Sequence, residues 1–159
     1  LLAPDIHWWH GLQDLHLSSM RHKPHFEESY NENDARAKKA LRDYLDSKGI
    51  PTVVHEDYGP DIKASLEVFY EVEIKKGWEG DWNKSWDTVR IPARKKRLMK
   101  NGRRVVFWVM NNDCTQAFRV YSTDMKDEYI KPVSNKFVAE GELFYCLPIE
   151  VGTFINIAQ

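Results

Sequence analysis

Several features that mark particular protein classes are scarce or missing in this sequence. The 159 residues include only two cysteines, Cys114 and Cys146, without a CxxC motif, and nothing else in the sequence requires a disulfide framework. We expect both to be small buried hydrophobes in a reducing compartment. No apolar run approaches the roughly 18 residues that a membrane span needs. The first ten residues lack a basic region followed by an apolar stretch, so we expect no secretory signal and a cytoplasmic protein without a membrane partner.

Acidic residues are missing between Asp87 and Asp113, and this same stretch carries eight basic residues. They are Arg90, Arg94, Lys95, Lys96, Arg97, Lys100, Arg103 and Arg104. Because the net charge of the whole chain is −1, the remainder is strongly acidic. Such asymmetry is typical of a surface that binds polyanions, although a solvated helix face gives the same pattern.

The apolar content of 42% is enough for one hydrophobic core. Hydrophobic spacing predicts an α/β fold with a mixed sheet and helices packed on it. The predicted elements are a helix over 31–48, strands over 52–58 and 66–75, a helix of about ten residues between Pro92 and Gly102, strands over 104–110, 117–121 and 143–149, and a short strand or tail over 154–157. Pro148 lacks an N–H group and therefore favours an edge position for its strand.

Residues 1–26 have poor periodicity, and we expect them to form an arm that packs on a single domain over 27–159. Five of the six histidines lie in this arm, at positions 7, 10, 16, 22 and 25. Their spacing matches no recognised zinc pattern, and no cysteine accompanies them. His55, the sixth, is interpreted as a packed or exposed neutral imidazole.

Candidate catalytic residues surround the strand predicted over 66–75. Asp61 follows the Gly59-Pro60 turn, and strict alternation places Glu73 and Lys75 on one face of the strand. Carboxylates at a turn and on the adjoining strand can converge on one hard divalent cation, to which the Ile74 carbonyl would add a ligand. A lysine beside such a metal can orient water or stabilise charge on a phosphate. A polar strand face with a turn aspartate is the alternative.

Pro60-Asp61, eleven intervening residues and then Glu73-Ile74-Lys75 resembles the motif of the PD-(D/E)XK nuclease superfamily. The resemblance extends over about residues 31–121 and implies a restriction-endonuclease-like mixed sheet flanked by helices. It further implies a metal-dependent endonuclease that hydrolyses phosphodiester bonds in DNA. Mg²⁺ would be the cofactor, with Mn²⁺ able to substitute, Asp61 and Glu73 the metal ligands, and Lys75 the catalytic lysine.

Other residues acquire expected roles from this resemblance. Family members often carry a further acid on the first helix, and Glu32 is the preferred candidate ahead of Asp34 and Glu28, although such acids also favour a helix N-terminus. Glu71 shares the face of Glu73 and would bind a second ion or remain solvated. The residues expected to contact DNA phosphates are Arg90, Arg94, Lys95 and Arg97.

Trp82 and Trp86 would either stack on unpaired bases or belong partly to the core. Two rival functions remain open: a nucleic-acid-binding module of the same fold without turnover, and a partner-binding α/β domain. The chain leaves little room for a separate recognition domain. Cleavage of both strands would therefore need two copies, that is, a homodimer.

Overall fold

The computed structural model describes residues 27–54, 61–64, 68–134 and 140–157. For residues 27–31 and 101 it describes the backbone alone. The predicted N-terminal arm and all six histidines lie outside the described residues. The regular elements are α1 (Glu27–Ser47), β1 (Thr52–Val54), β2 (Ile62–Ala64), β3 (Val68–Ile74), β4 (Thr88–Pro92), a 3₁₀ helix (Ala93–Gly102), β5 (Arg104–Met110), β6 (Gln116–Tyr121), β7 (Ile130–Val133), β8 (Glu142–Pro148) and β9 (Thr153–Asn156), with three further short 3₁₀ turns.

Helix α1 begins four residues earlier than its periodicity predicted and ends one residue earlier, at Ser47. Ala37, Leu41 and Leu45 recur at intervals of four and are buried along one stripe of the helix. Gly49 adopts a positive φ of 75°, a conformation that glycine enters without strain. The predicted glycine stop of this helix is therefore confirmed.

A mixed sheet of six strands forms the centre of the fold, in the order β1-β2-β3-β5-β6-β9. Strands β3 and β5 are parallel, and every other neighbouring pair is antiparallel. Parallel neighbours need a crossover connection, and residues 75–103 supply it through β4 and the 3₁₀ helix. The predicted central strand over 104–110 is confirmed, and residues 105–110 of it are buried.

A second, three-stranded antiparallel sheet in the order β4-β8-β7 was not predicted. Strand β8 is its middle strand, so the edge position expected from Pro148 is wrong. Pro148 is the last residue of β8, opposite Thr88 at the beginning of β4. A proline at a strand end sacrifices at most one ladder hydrogen bond, which is why it is tolerated between two partners.

The two faces of the large sheet carry separate cores. On one face, Leu41 of α1 packs with Val72 and Trp108. On the other face, Phe107 and Phe118 pack with Tyr145 of the second sheet and with Leu98 of the 3₁₀ helix. The α/β fold with a mixed sheet is confirmed, but among the described residues an α-helix covers only one of its faces. The opposite face is covered by a sheet and a 3₁₀ segment.

The basic stretch extends over three elements and ends with Arg104 at the beginning of β5. Its first part is β4, and its second part is helical between Pro92 and Gly102 as predicted, although the helix is of the tighter 3₁₀ type. Side chains three residues apart eclipse in this geometry, so Arg94, Arg97 and Lys100 follow one side of the helix, whereas Lys95 and Lys96 project in other directions. Within the part of the chain that the structure describes, none of the helices is long and apolar enough to cross a membrane.

Candidate active site

The β2–β3 hairpin brings Asp61 next to Glu71. Ile62 pairs with Tyr70, so Asp61, one residue before β2, lies opposite Glu71. The backbone N–H of Asp61 donates a hydrogen bond to Glu71 Oε2 at 3.2 Å. The Val72 N–H in turn donates to Asp61 Oδ2 at 3.1 Å. The two carboxylates lie 10 residues apart in the sequence, and each is held by a backbone N–H from the other side of the hairpin.

The alternation predicted for β3 is confirmed over the residues that the structure describes. Tyr70 and Val72 enter the core beneath α1, whereas Phe69 packs on the opposite core. Glu71, Glu73 and Lys75 continue the series of Phe69 toward the C-terminal end of the strand, because side chains two residues apart share a face. Of the three catalytic residues predicted from the sequence, Glu73 and Lys75 therefore lie on one face of β3. Asp61 lies beside that face, next to the beginning of the neighbouring strand β2.

Backbone alternation also orients the Ile74 carbonyl. The Lys75 N–H bonds the Met110 carbonyl of β5 at 2.8 Å, while the Val72 N–H points to Asp61 on the opposite edge of β3. Backbone groups of alternate residues point to the same edge of a strand. The Ile74 carbonyl therefore points to the edge at which Asp61 lies, two residues beyond the Val72 N–H.

Two lysines from other elements balance the charge of these acids. Lys95 of the 3₁₀ helix forms an ion pair with Glu71, and their side chains are only 14% and 7% exposed. Lys38 of α1 lies 2.8 Å from Asp34 and 3.3 Å from Asp61. Burial lowers the pKa of Lys38, but its hydrogen bonds and charge interactions with Asp34 and Asp61 outweigh that effect and raise it. The acids are thus enclosed between cations from both sides of the sheet.

Asp61 is nonetheless an unfavourable place for a negative charge. Burial, followed by the neighbouring charge of Glu71, raises the pKa of Asp61 from 3.8 to about 6. The charge of Lys95 and the Val72 N–H oppose this rise without cancelling it. A carboxyl group in this state gains from any added cation that approaches it.

Lys75 follows the last residue of β3 and lines a cavity of about 400 Å³. Its ammonium group donates a hydrogen bond to the Arg90 carbonyl at 3.3 Å. Burial lowers the pKa of Lys75, and the charge of Arg90 adds to this, while Glu73 opposes it. The remaining cavity wall is supplied largely by the loop over residues 77–87 and includes Trp78, Trp82 and Trp86.

The four basic residues expected to contact phosphates lie in different surroundings. Arg90 is exposed and lines the cavity beside Lys75. Arg94 bonds Glu142 of β8 at 2.9 Å. Lys95 is occupied by Glu71, and Arg97 is half-buried on the 3₁₀ helix. Only Arg90 among them is both exposed and next to the candidate catalytic lysine.

The acids at the beginning of α1 differ in their exposure and in their contact with the site. Glu32 is exposed, whereas Asp34 is half-buried and reaches the site through Lys38. The side chain of Glu28 lies outside the described residues. The helix acid with a physical connection to Asp61 is therefore Asp34 rather than the preferred Glu32.

Sequence reasoning missed the roles of Lys38 and Lys95 and undervalued Glu71. Glu71 is 6% exposed, so the solvated alternative considered for it is wrong. An acid flanked by apolar residues within a strand was the available signal, because a buried carboxylate requires a cationic or hydrogen-bonding partner. The identity of that partner had no signal in the sequence.

Within residues 27–54, 61–64, 68–134 and 140–157, no three acidic, histidine or cysteine side chains cluster closely enough to form a complete metal site. A divalent cation held here would rely on two carboxylates, a backbone carbonyl, water and substrate oxygens. Mg²⁺ is commonly bound in this way, with one or two carboxylates and several waters or phosphates. The hard oxygen donors and the raised pKa of Asp61 fit such an ion.

Comparison with known proteins adds no relative, because no family model, no curated protein and no solved structure matches this chain.

Proposed function

We propose that this protein is a metal-dependent endonuclease of the PD-(D/E)XK type that hydrolyses phosphodiester bonds in DNA. The observation that carries the proposal is the convergence of Asp61 with the acidic face of β3, immediately before Lys75. A helix, a hairpin bearing the acids, a second helical segment and further strands follow one another in this chain, and this order supports the mixed sheet flanked by helices that the resemblance implies. A restriction-endonuclease-like fold is part of the same proposal.

Asp61, Glu73 and the Ile74 carbonyl would hold the metal ion, with Mg²⁺ as the expected ion and Mn²⁺ as its substitute. The cation would polarise the scissile phosphate and lower the pKa of a water bound to it. Glu71 would act next to this group of ligands. Its ion pair with Lys95 holds its carboxylate where it keeps the pKa of Asp61 high, which increases the attraction of Asp61 for a cation.

Lys75 would stabilise the negative charge that develops on the phosphate during hydrolysis. Its hydrogen bond to the Arg90 carbonyl engages one of the three ammonium protons. Burial lowers its pKa, which weakens its hold on a proton and makes it a stronger acid toward a leaving alkoxide. Arg90 would bind an adjacent phosphate, and the basic residues beyond it would contribute affinity independent of sequence.

The proposal is tested by Lys75→Ala in a plasmid-cleavage assay with Mg²⁺. Loss of one donor to a developing charge costs about 10²–10³-fold in rate, and we expect a decrease of that size. Lys131→Ala is the matched control, because Lys131 is exposed on β7 of the second sheet. Cleavage by Lys75→Ala at the wild-type rate would refute the proposal.

A binding module without turnover is the second candidate. The positive charges of Lys75 and Arg90 can bind phosphate whether or not the protein cleaves DNA. The ion pair of Lys38 with Asp61 favours such a module, since it already neutralises an acid that a metal would need. Calorimetric titration separates the two. Retained DNA affinity without Mg²⁺ or Mn²⁺ binding would favour the module. Absence of DNA affinity at low salt would favour a partner-binding domain.

A further inference from the structure

The cavity beside Lys75 has a wall built from indole rings. Trp78 is fully buried, Trp82 is half-buried and Trp86 is 39% exposed. The ring centroids of Trp78 and Trp82 lie 5.0 Å apart, and those of Trp82 and Trp86 lie 5.2 Å apart, both edge to face. The three rings therefore form a stepped aromatic series from the core to the surface.

This wall is fixed to the sheet by hydrogen bonds along the loop. The Asn112 N–H bonds the Trp78 carbonyl at 2.7 Å, and the Trp82 N–H bonds the Gln116 side chain at 2.9 Å. The buried Asn111 amide bonds the Gly80 carbonyl at 2.9 Å. The Trp82 indole N–H donates to the Trp86 carbonyl at 2.9 Å. Pre-arranged aromatic rings lose little conformational entropy when a ligand binds.

The indole N–H of Trp78 lies in the packed base of the wall. The indole N–H of Trp78 is buried and makes no hydrogen bond to any described residue. Buried donors are paired in most native structures, and an unsatisfied one is costly. Because this nitrogen is closed off from solvent, it belongs to the packed base of the wall and presents no donor to a ligand in the cavity.

Positive charge lies at the same cavity. The ammonium group of Lys75 and the exposed side chain of Arg90 both line it, and Asp87 is the acid among the lining residues. An aromatic wall next to two cations is complementary to a planar heterocycle with an attached phosphate. The volume of about 400 Å³ lies within the range of small-ligand pockets.

We propose that this cavity binds one unpaired nucleobase of a DNA strand, stacked against Trp86 and Trp82, with its phosphate at Lys75 and Arg90. The inference rests on the proposed nuclease function and names its substrate class: DNA with a single-stranded or unpaired segment at the cleavage position. A base within a duplex is stacked on both faces and paired at its edge. It therefore has no free face to offer to an indole.

The test measures DNA binding in EDTA, so that cleavage plays no part. Fluorescence anisotropy compares a short labelled single strand with its fully paired duplex. We expect the wild-type protein to prefer the single strand. Trp86→Ala should weaken single-strand binding by about 5- to 150-fold, the range for one base–aromatic stack, and should change duplex binding much less. Trp86→Phe should retain most of the affinity, because it keeps an aromatic face.

Tyr121→Ala is the control, because Tyr121 is an exposed aromatic residue of β6 that does not line the cavity. We expect it to bind both DNA forms as the wild type does. Equal affinity of Trp86→Ala and wild type for the single strand would overturn the inference. So would a thymidine monophosphate that displaced the strand with an equal affinity, since the cavity would then be a free-nucleotide site.

The inference and the proposed function can fail separately. Loss of cleavage in Lys75→Ala with unchanged single-strand binding in Trp86→Ala would leave the nuclease standing and remove the base pocket. If the wild-type protein binds single strands through Trp86 but never cleaves DNA, the base pocket would stand and the nuclease function would be removed.

Discussion

Replacement of Asp61 by asparagine should make the protein more stable near neutral pH. In the folded state the pKa of Asp61 is raised from 3.8 to about 6, by burial first and by Glu71 second. Above pH 6 the ionised side chain therefore opposes folding. Asparagine has no charge to bury, and its carbonyl oxygen can still accept the Val72 N–H that Asp61 accepts. Lys38 loses one partner but keeps Asp34 at 2.8 Å.

The size of the effect follows from the pKa. A rise in pKa from 3.8 to about 6 means that ionised Asp61 lowers the free energy of unfolding by about 3 kcal/mol at pH 7. Asp61→Asn should recover this amount, less the contribution of the lost ion pair with Lys38. Between about pH 4 and pH 6 the folded protein binds more protons than the unfolded chain, so wild-type stability falls as the pH rises. Below about pH 4 Asp61 is protonated in both states, and the difference between variant and wild type disappears.

Urea unfolding in EDTA at pH 4 and pH 7 measures this difference. Asp43→Asn is the control, because Asp43 is 66% exposed and pairs with Lys39 on the helix surface; its effect should stay within about 0.5 kcal/mol. Mg²⁺ in large excess should stabilise the wild type by about 2–3 kcal/mol but not Asp61→Asn. A destabilised Asp61→Asn at pH 7, or a difference that does not change with pH, would refute the reasoning.

Two further predictions concern the framework of the site. Lys95→Met leaves Glu71 buried without its cation and should lower the free energy of unfolding in urea by about 3–5 kcal/mol. Lys96→Met is the control, because it removes an exposed pair with Asp127 and should lower that free energy by less than about 1 kcal/mol. Equal losses in the two variants would contradict the buried ion pair. Gly152→Ala places a Cβ 2.6 Å from the Arg119 carbonyl oxygen and should cost about 1–3 kcal/mol or more in thermal unfolding. Gly77→Ala meets nothing within 4 Å, and a comparable loss of stability there would exclude this explanation.

The parts of the fold that depend on local pattern could be predicted from the sequence. Strand β5 is a continuous apolar run, and such a run is expected only where both faces of a strand are covered. The alternation of Val68, Tyr70 and Val72 with Phe69 and Glu71 sufficed to assign the two faces of β3. The face shared by Glu73 and Lys75 follows from the same alternation without any reference to a family.

The parts that depend on distant pairing could not be predicted. Strands β4 and β7 are short and contain Pro92 and Pro132, so their strand character comes from β8 lying between them rather than from local propensity. The ion pair of Lys95 with Glu71 spans 24 residues and depends on how the 3₁₀ helix crosses the sheet. For this reason Lys95 resembled a phosphate-binding residue in the sequence, whereas the fold directs it to an acid.

The proposed metal site is the central claim, and a crystal grown with Mn²⁺ tests it most directly. Manganese scatters anomalously, so its position can be located independently of the protein model. We predict one anomalous peak bounded by the Asp61 carboxylate, the Glu73 carboxylate and the Ile74 carbonyl, with Lys38 displaced from Asp61. A crystal saturated with Mn²⁺ that shows no peak there, and in which Lys38 still contacts Asp61, would contradict the account.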